Sequence, residues 1–262
     1  MHRRNFLMLV GGGLLVAACR GPVVYPTPTA PSVPSPAPAA DNPKDFGTGF
    51  AYGFNVAWRG DEQGEEFNRR TAEAVRAAGF DWVRIQVQWE SHESQPGQWD
   101  LRPLDRVLPI YAEYGLNVLV SVVSAPAWAR DTSGGIVRDL SAFRAAMRRF
   151  AGTYRGLVKA WQVWNEQNIA RNVYGPIRVE PYARLLRAGY EGVKEADPEA
   201  LVVSGSLTPT GVNDPNLAID DVAYLESFYA LDDGAWTQYF DILGAHANAT
   251  LNPPDTLWPE RP

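Results

Sequence analysis

With one cysteine in 262 residues no internal disulfide can form, and with three histidines the usual zinc-ligand spacings are absent. Positive charge is scarce as well: 24 lysines and arginines stand against 30 acidic residues, a net of −6. That balance argues against nucleic acid as a partner, because phosphate binding needs clustered basic side chains. Beyond the first eighteen residues no apolar run is long enough to cross a bilayer. The polar, aromatic-poor composition of a disordered chain is also missing: 45% of residues are hydrophobic and 11% aromatic, enough to bury one large core. Tryptophan, in contrast, is plentiful, with nine residues. Indole rings serve equally as core filler and as faces for sugar rings, so their number alone assigns no function.

The N-terminal segment reads as an address and a tether. Residues 1–18 have the form of an export signal, with Arg3 and Arg4 as the charged region and Phe6 to Ala18 as a short apolar stretch. Arg3-Arg4-Asn5-Phe6-Leu7 resembles a twin-arginine signal. Val16-Ala17-Ala18-Cys19 resembles a bacterial lipobox, which makes Cys19 the expected lipidation site and the mature protein an extracytoplasmic, membrane-anchored one. Residues 19–45 then form a proline-rich linker, with Pro22, Pro26, Pro28, Pro31, Pro34, Pro36 and Pro38 alternating with small residues. Such a segment cannot build a core and favours extended polyproline geometry, so about two dozen residues at ~3.1 Å each reach on the order of 70 Å.

From residue 46 the hydrophobic period alternates between short β-rich runs and longer amphipathic stripes. Strands are expected at 50–58, 82–89, 117–124, 158–164, 201–206 and 240–245. Between them Leu101, Leu104, Leu108 and Tyr111 share a helix face, as do Leu140, Phe143, Met147, Phe150 and Tyr154, and then Tyr182, Leu185, Leu186, Gly189 and Val193. Gly79 and Gly115 sit where left-handed caps would end helices. Alternating strand and helix implies a parallel sheet, open or closed into a barrel. No glycine-rich phosphate loop follows the first strand, and the chemically distinctive side chains fall after several strand ends, which favours an α/β fold of the (β/α)8 TIM-barrel type.

The sharpest constellation is Trp161-Gln162-Val163-Trp164-Asn165-Glu166-Gln167-Asn168, a β-rich run ending in an amide and a carboxylate. This segment resembles the acid/base strand of clan A glycoside hydrolases, particularly families 39 and 5. The resemblance extends to Ala77 through Arg84, to Trp89 with Pro96-Gly97-Gln98-Trp99-Asp100, to Gly115 through Leu119 with Ala125-Pro126-Ala127-Trp128-Ala129, and to Asp241 through His246. It implies a retaining hydrolase of O-glycosidic bonds in poly- or oligosaccharides, a monomer needing no metal or organic cofactor. Glu166 would be the acid/base and Asn165 the contact to a sugar 2-hydroxyl. Arg84 would lie near the nucleophile, His246 at the rim, and Trp128 and Trp164 would offer ring faces to substrate. Glu90 and Glu93 read as solvated loop charges.

In that clan the nucleophile follows the seventh strand. The six strand starts here recur about every 38 residues, so at this pitch a seventh would begin beyond Pro262, and Glu260 falls too early in a proline-flanked segment. The expectation is therefore an incomplete barrel spanning residues 46–262, with about six of eight strand–helix units and no nucleophile. A surface lipoprotein that binds carbohydrate without cleaving it is the alternative. A transporter's solute-binding lipoprotein is a weaker rival, since it gives the Trp-Asn-Glu strand end no role.

Overall fold

The computed structural model describes residues 51–248. The leader, Cys19, the proline-rich linker, Phe50 and Glu260 lie outside the described residues. Five strands, β1 (Gly53–Asn55), β2 (Trp82–Gln88), β3 (Asn117–Val123), β4 (Val158–Val163) and β5 (Leu201–Ser204), form one sheet in sequential order, and every pairing is parallel. The expected sixth strand is reduced to two parallel bridges, Val203 with Ile242 and Leu207 with Ala245, which continue the order past β5. Helices α1 (Gly64–Ala77), α2 (Arg102–Glu113), α3 (Leu140–Thr153), α4 (Val179–Ala196) and α5 (Asp221–Ala230) fall between successive strand positions. Parallel neighbours require such crossovers, and helices covering a sheet allow its strands to be nearly all apolar.

The helices form where apolar residues recur at three and four. Leu104, Val107, Leu108 and Tyr111 of α2 are fully buried, as are Phe143, Met147 and Phe150 of α3 and Leu185, Leu186 and Val193 of α4. Gly79 and Gly115 follow α1 and α2 with φ of +83° and +66°, the left-handed geometry expected of them. Asp139 caps α3 by accepting a 2.8 Å hydrogen bond from the Ser141 amide.

The two faces of the sheet differ in kind. On β2, Val83, Ile85 and Val87 are fully buried against the helices. Trp82, Arg84 and Gln86 alternate with them and point to the other face. That inner face is itself layered. Trp82, Leu119, Ala160, Leu201, Val203 and Ile242 form a small apolar floor toward the N-terminal ends of the strands. Arg84, Ser121 and Gln162 come later along the same strands, so a polar layer follows the apolar one on the inner face.

Candidate active site

Glu166 reaches this polar end through a turn that costs backbone strain. β4 ends at Val163, after which Trp164 and Glu166 take φ of +72° and +51°, conformations that side chains other than glycine rarely adopt. Four hydrogen bonds hold the turn: Trp164 N donates to Val122 O at 3.0 Å, Glu166 N to Ser206 O at 2.8 Å, and both Ile169 N and Asn172 Nδ2 to Glu166 O at 3.1 Å. Ser124, at the end of β3, and Tyr174 are likewise left-handed, so strained residues gather at the mouth of adjacent strands.

The Glu166 carboxylate lies 3.1 Å from His246 Nδ1, with 22% of the glutamate and 24% of the histidine side chain exposed. The two are therefore reachable from solvent yet fixed against each other. His246 is placed by its own backbone, whose N–H donates to Leu207 O at 3.0 Å and extends the sixth strand position. One proton lies along the contact: either Nδ1–H donates to the carboxylate or a protonated Glu166 donates to a bare Nδ1.

Arg84 is the second anchor. Its Nε donates to Gln162 Oε1 at 2.8 Å, one Nη to Asn55 Oδ1 at 3.0 Å and the other to Asn165 Oδ1 at 2.8 Å. All three acceptors are neutral amides, and no carboxylate among the described residues forms an ion pair with it. Burial pulls the Arg84 guanidinium below its ordinary value, and the charge of Glu166 acts in the opposite direction. Because Arg84 occupies Asn165 Oδ1, the amide orientation is set.

Gln162 ties these parts together. Buried at 2% exposure, it accepts from Arg84 while its Nε2 donates to Ser206 Oγ at 2.7 Å and Ser204 O at 3.2 Å. Ser206 thus bonds the Gln162 side chain and, through its carbonyl, the Glu166 backbone. Asn168 is fully buried and pins the following loop through Thr208 and Ile219. Asn55, Gln162 and Ser206 escaped the sequence reading. The signal for Gln162 was there, an uncharged amide inside an otherwise apolar strand, but nothing local indicates that its partner lies 78 residues away.

The structure brings Arg84, Asn165, Glu166 and His246 together and separates the two tryptophans from them. Trp164 is 1% exposed, its ring packed between Phe143 and Tyr174 and its Nε1 donating to Asn172 O at 3.0 Å. The expectation of a sugar platform at Trp164 is corrected: its left-handed backbone turns the indole into the core. Trp128 is half-buried against Trp89 in a different groove. Glu93 is not solvated either. It is 7% exposed, accepting from Trp89 Nε1 and Gly97 N, while Glu90 pairs with Arg130.

No protein-family model matches the chain, and no curated protein matches it. Solved structures do. The β-glycosidase BGL167 superposes with a TM-score of 0.51 at 16% identity, over 72% of this chain and 55% of that one. The exo-β-1,4-mannosidase Op5Man5 from Opitutaceae bacterium strain TAV5 gives 0.50 at 20% identity, over 65% and 37%. The fold is shared with glycosidase barrels. A family 39 glycoside hydrolase from Bacteroides cellulosilyticus WH2 aligns less fully, with a TM-score of 0.46 at 23% identity over 53% of this chain and 28% of that one. The matched region spans less than two thirds of each of these three neighbours' own length. At such identities the likeness concerns the arrangement of strands and helices, and the chemistry must be argued from side chains.

Proposed function

We propose that the chain carries the acid/base half of a retaining O-glycoside hydrolase site, on about six of the eight strand–helix units of a (β/α)8 barrel, and that it acts on poly- or oligosaccharides. The observation that carries this reading is the Glu166–His246 contact at a strand mouth beside the Arg84–Asn165 pair. Glu166 gives its proton to the departing glycosidic oxygen while a carboxylate nucleophile, for which added formate would substitute, bonds to the anomeric carbon; as a carboxylate Glu166 then takes a proton from the water that displaces that acyl oxygen. Asn165 Nδ2 donates to a sugar hydroxyl oxygen, a contact that strengthens as the ring flattens toward the transition state. Arg84, whose hydrogen-bond acceptors among the described residues are all amides, has charge to spare for a carboxylate nucleophile, which retention requires roughly 5–5.5 Å from the acid. The two neighbours with the higher TM-scores are a β-glycosidase and an exo-mannosidase, which supports the reaction class. Acylation at Cys19 and an extracytoplasmic, membrane-tethered setting complete the proposal and rest on the sequence of the leader.

Hydrolysis of aryl β-glycosides by the full chain, with and without added formate as a small substitute carboxylate, tests it. Glu166→Gln should lower turnover about a hundredfold or more, most for poor leaving groups that need protonation. Equal turnover by both proteins, or binding of oligosaccharides indifferent to Arg84→Met and Asn165→Ala, would end the reading.

A further inference from the structure

We infer that the protein has a second carbohydrate-binding site, a groove on the outer wall between α3 and the loops that follow β2 and β3, which takes a segment of neutral polysaccharide. The groove has a volume of about 770 Å³, and none of Arg84, Asn165, Glu166 or His246 lines it. One wall carries Trp99 and Trp128; the other is the flank of α3 from Ala142 to Thr153, roughly 16 Å of helix at 1.5 Å per residue. Ala142, Ala145 and Gly152 keep parts of that flank low, and Arg148, Arg149 and Thr153 add polar side chains to it.

Both rings are held in advance of any ligand. Trp128 donates its Nε1 to Glu93 O at 3.1 Å and meets Trp89 edge to face at 5.5 Å. Trp99 meets Phe150 at 5.3 Å and 86°. Rigid aromatic surfaces bind with little loss of side-chain freedom. Arg149, exposed on α3, stands over the Trp99 ring with its guanidinium carbon 5.9 Å from the ring centre, a cation–π contact that covers that face; it makes no ion pair among the described residues, so its N–H groups border the trough as donors for vicinal hydroxyls. An indole at Trp128 beside the planar donors of the Arg149–Trp99 stack matches a pyranose, which is apolar on its faces and hydroxylated at its edge. A bilayer is a poorer occupant, because both tryptophans are half-buried within a concavity and do not project. The site needs neither Glu166 nor hydrolysis, and it would hold a long substrate on the protein between encounters with the mouth.

Native affinity electrophoresis of the full chain in gels cast separately with glucomannan, galactomannan, xyloglucan and mixed-linkage β-glucan tests this. At least one polysaccharide should retard the wild type and Glu166→Gln equally. Trp99→Ala and Arg149→Ala should each weaken that retardation about tenfold. Ala145→Leu, which puts another good helix former on the exposed face of α3, should fill the trough and do the same without touching the core; it keeps the test valid if Trp99→Ala fails to fold. Retardation in none of the gels, or retardation unchanged by Arg149→Ala and Ala145→Leu, overturns the inference, as does retardation lost in Arg84→Met, which would move binding to the mouth. Anionic vesicles that bind the wild type but not Arg149→Ala, in the absence of any polysaccharide effect, would assign the groove to a membrane instead.

Discussion

Gln162 is 2% exposed, yet Arg84, Ser204 and Ser206 all depend on it. Gln162→Leu keeps the volume and removes both ends of the amide, leaving the Arg84 Nε and the Ser206 hydroxyl buried without partners. Unsatisfied buried polar groups cost about 1–3 kcal/mol each, more beside a charge. Urea unfolding should therefore show a loss of at least that size, and aryl-glycoside turnover should fall with it because Asn165 loses its anchor. Arg84→Lys tests the same network from the other side. Lysine keeps the charge but has no planar fork, so it cannot serve Asn55, Gln162 and Asn165 together. Turnover should drop at least tenfold while the urea midpoint moves less than in Gln162→Leu. A full rescue by lysine would mean that charge alone is what the site needs.

At the scale of elements, α4 is held close to its neighbours by two glycines that helix propensity would disfavour. A methyl on Gly192 would sit 2.4 Å from the Arg144 carbonyl oxygen of α3, and one on Gly189 would sit 2.7 Å from a Val163 methyl of β4. Gly→Ala inside a helix ordinarily stabilises by roughly 0.5–1 kcal/mol. Here overpacking of about 1–3 kcal/mol should win, so Gly192→Ala should lower the thermal midpoint. The Gly189 contact matters more for function, because β4 delivers Glu166, and a displaced strand end moves the carboxylate. The N-cap of α3 gives a control of ordinary sign. Asp139 bonds the Ser141 amide and hydroxyl, and these bonds hold its carboxyl below the usual range. Asp139→Ala should cost about 1 kcal/mol and leave turnover unchanged.

The whole molecule carries a pH liability in His92. The ring is 3% exposed, donates Nδ1–H to Asp100 O at 2.7 Å and abuts Phe150 edge to face. Burial is the main cause that lowers its pKa from 6.5, with the Asp100 carbonyl acting weakly the other way. The folded chain therefore keeps His92 neutral where the unfolded chain takes up a proton. Its contribution is fully present well above pH 6.5 and is lost as the pH falls through that value. His92→Gln should flatten the urea-derived stability profile between pH 7 and 5. A second whole-molecule feature is the β1 edge. Among the described residues β1 pairs only with β2, and Tyr52, Phe54 and Phe67 are 61%, 47% and 41% exposed beside it. Exposed apolar surface next to an open strand invites association. Phe67→Lys should reduce light scattering of concentrated solutions without lowering the urea midpoint.

The strand–helix rhythm, the helix faces and the glycine caps were legible because each depends on residues close in sequence: period, propensity and one left-handed position. Glu166 and Asn165 stood out only through the resemblance of residues 161–168 to the acid/base strand of clan A hydrolases, since an Asn-Glu pair taken alone reads as a solvated loop. What the tertiary structure alone decided was which side chains meet. Trp164 looked like a sugar face and became core, since a positive φ at its own residue turned the ring inward. Glu93 looked solvated and was buried by Trp89 and Gly97. Asn55, Gln162 and Ser206 became parts of the site only when the sheet brought residues distant in sequence within reach of Arg84 and Glu166, because register across a sheet is set by packing on its two faces and is written in no single segment.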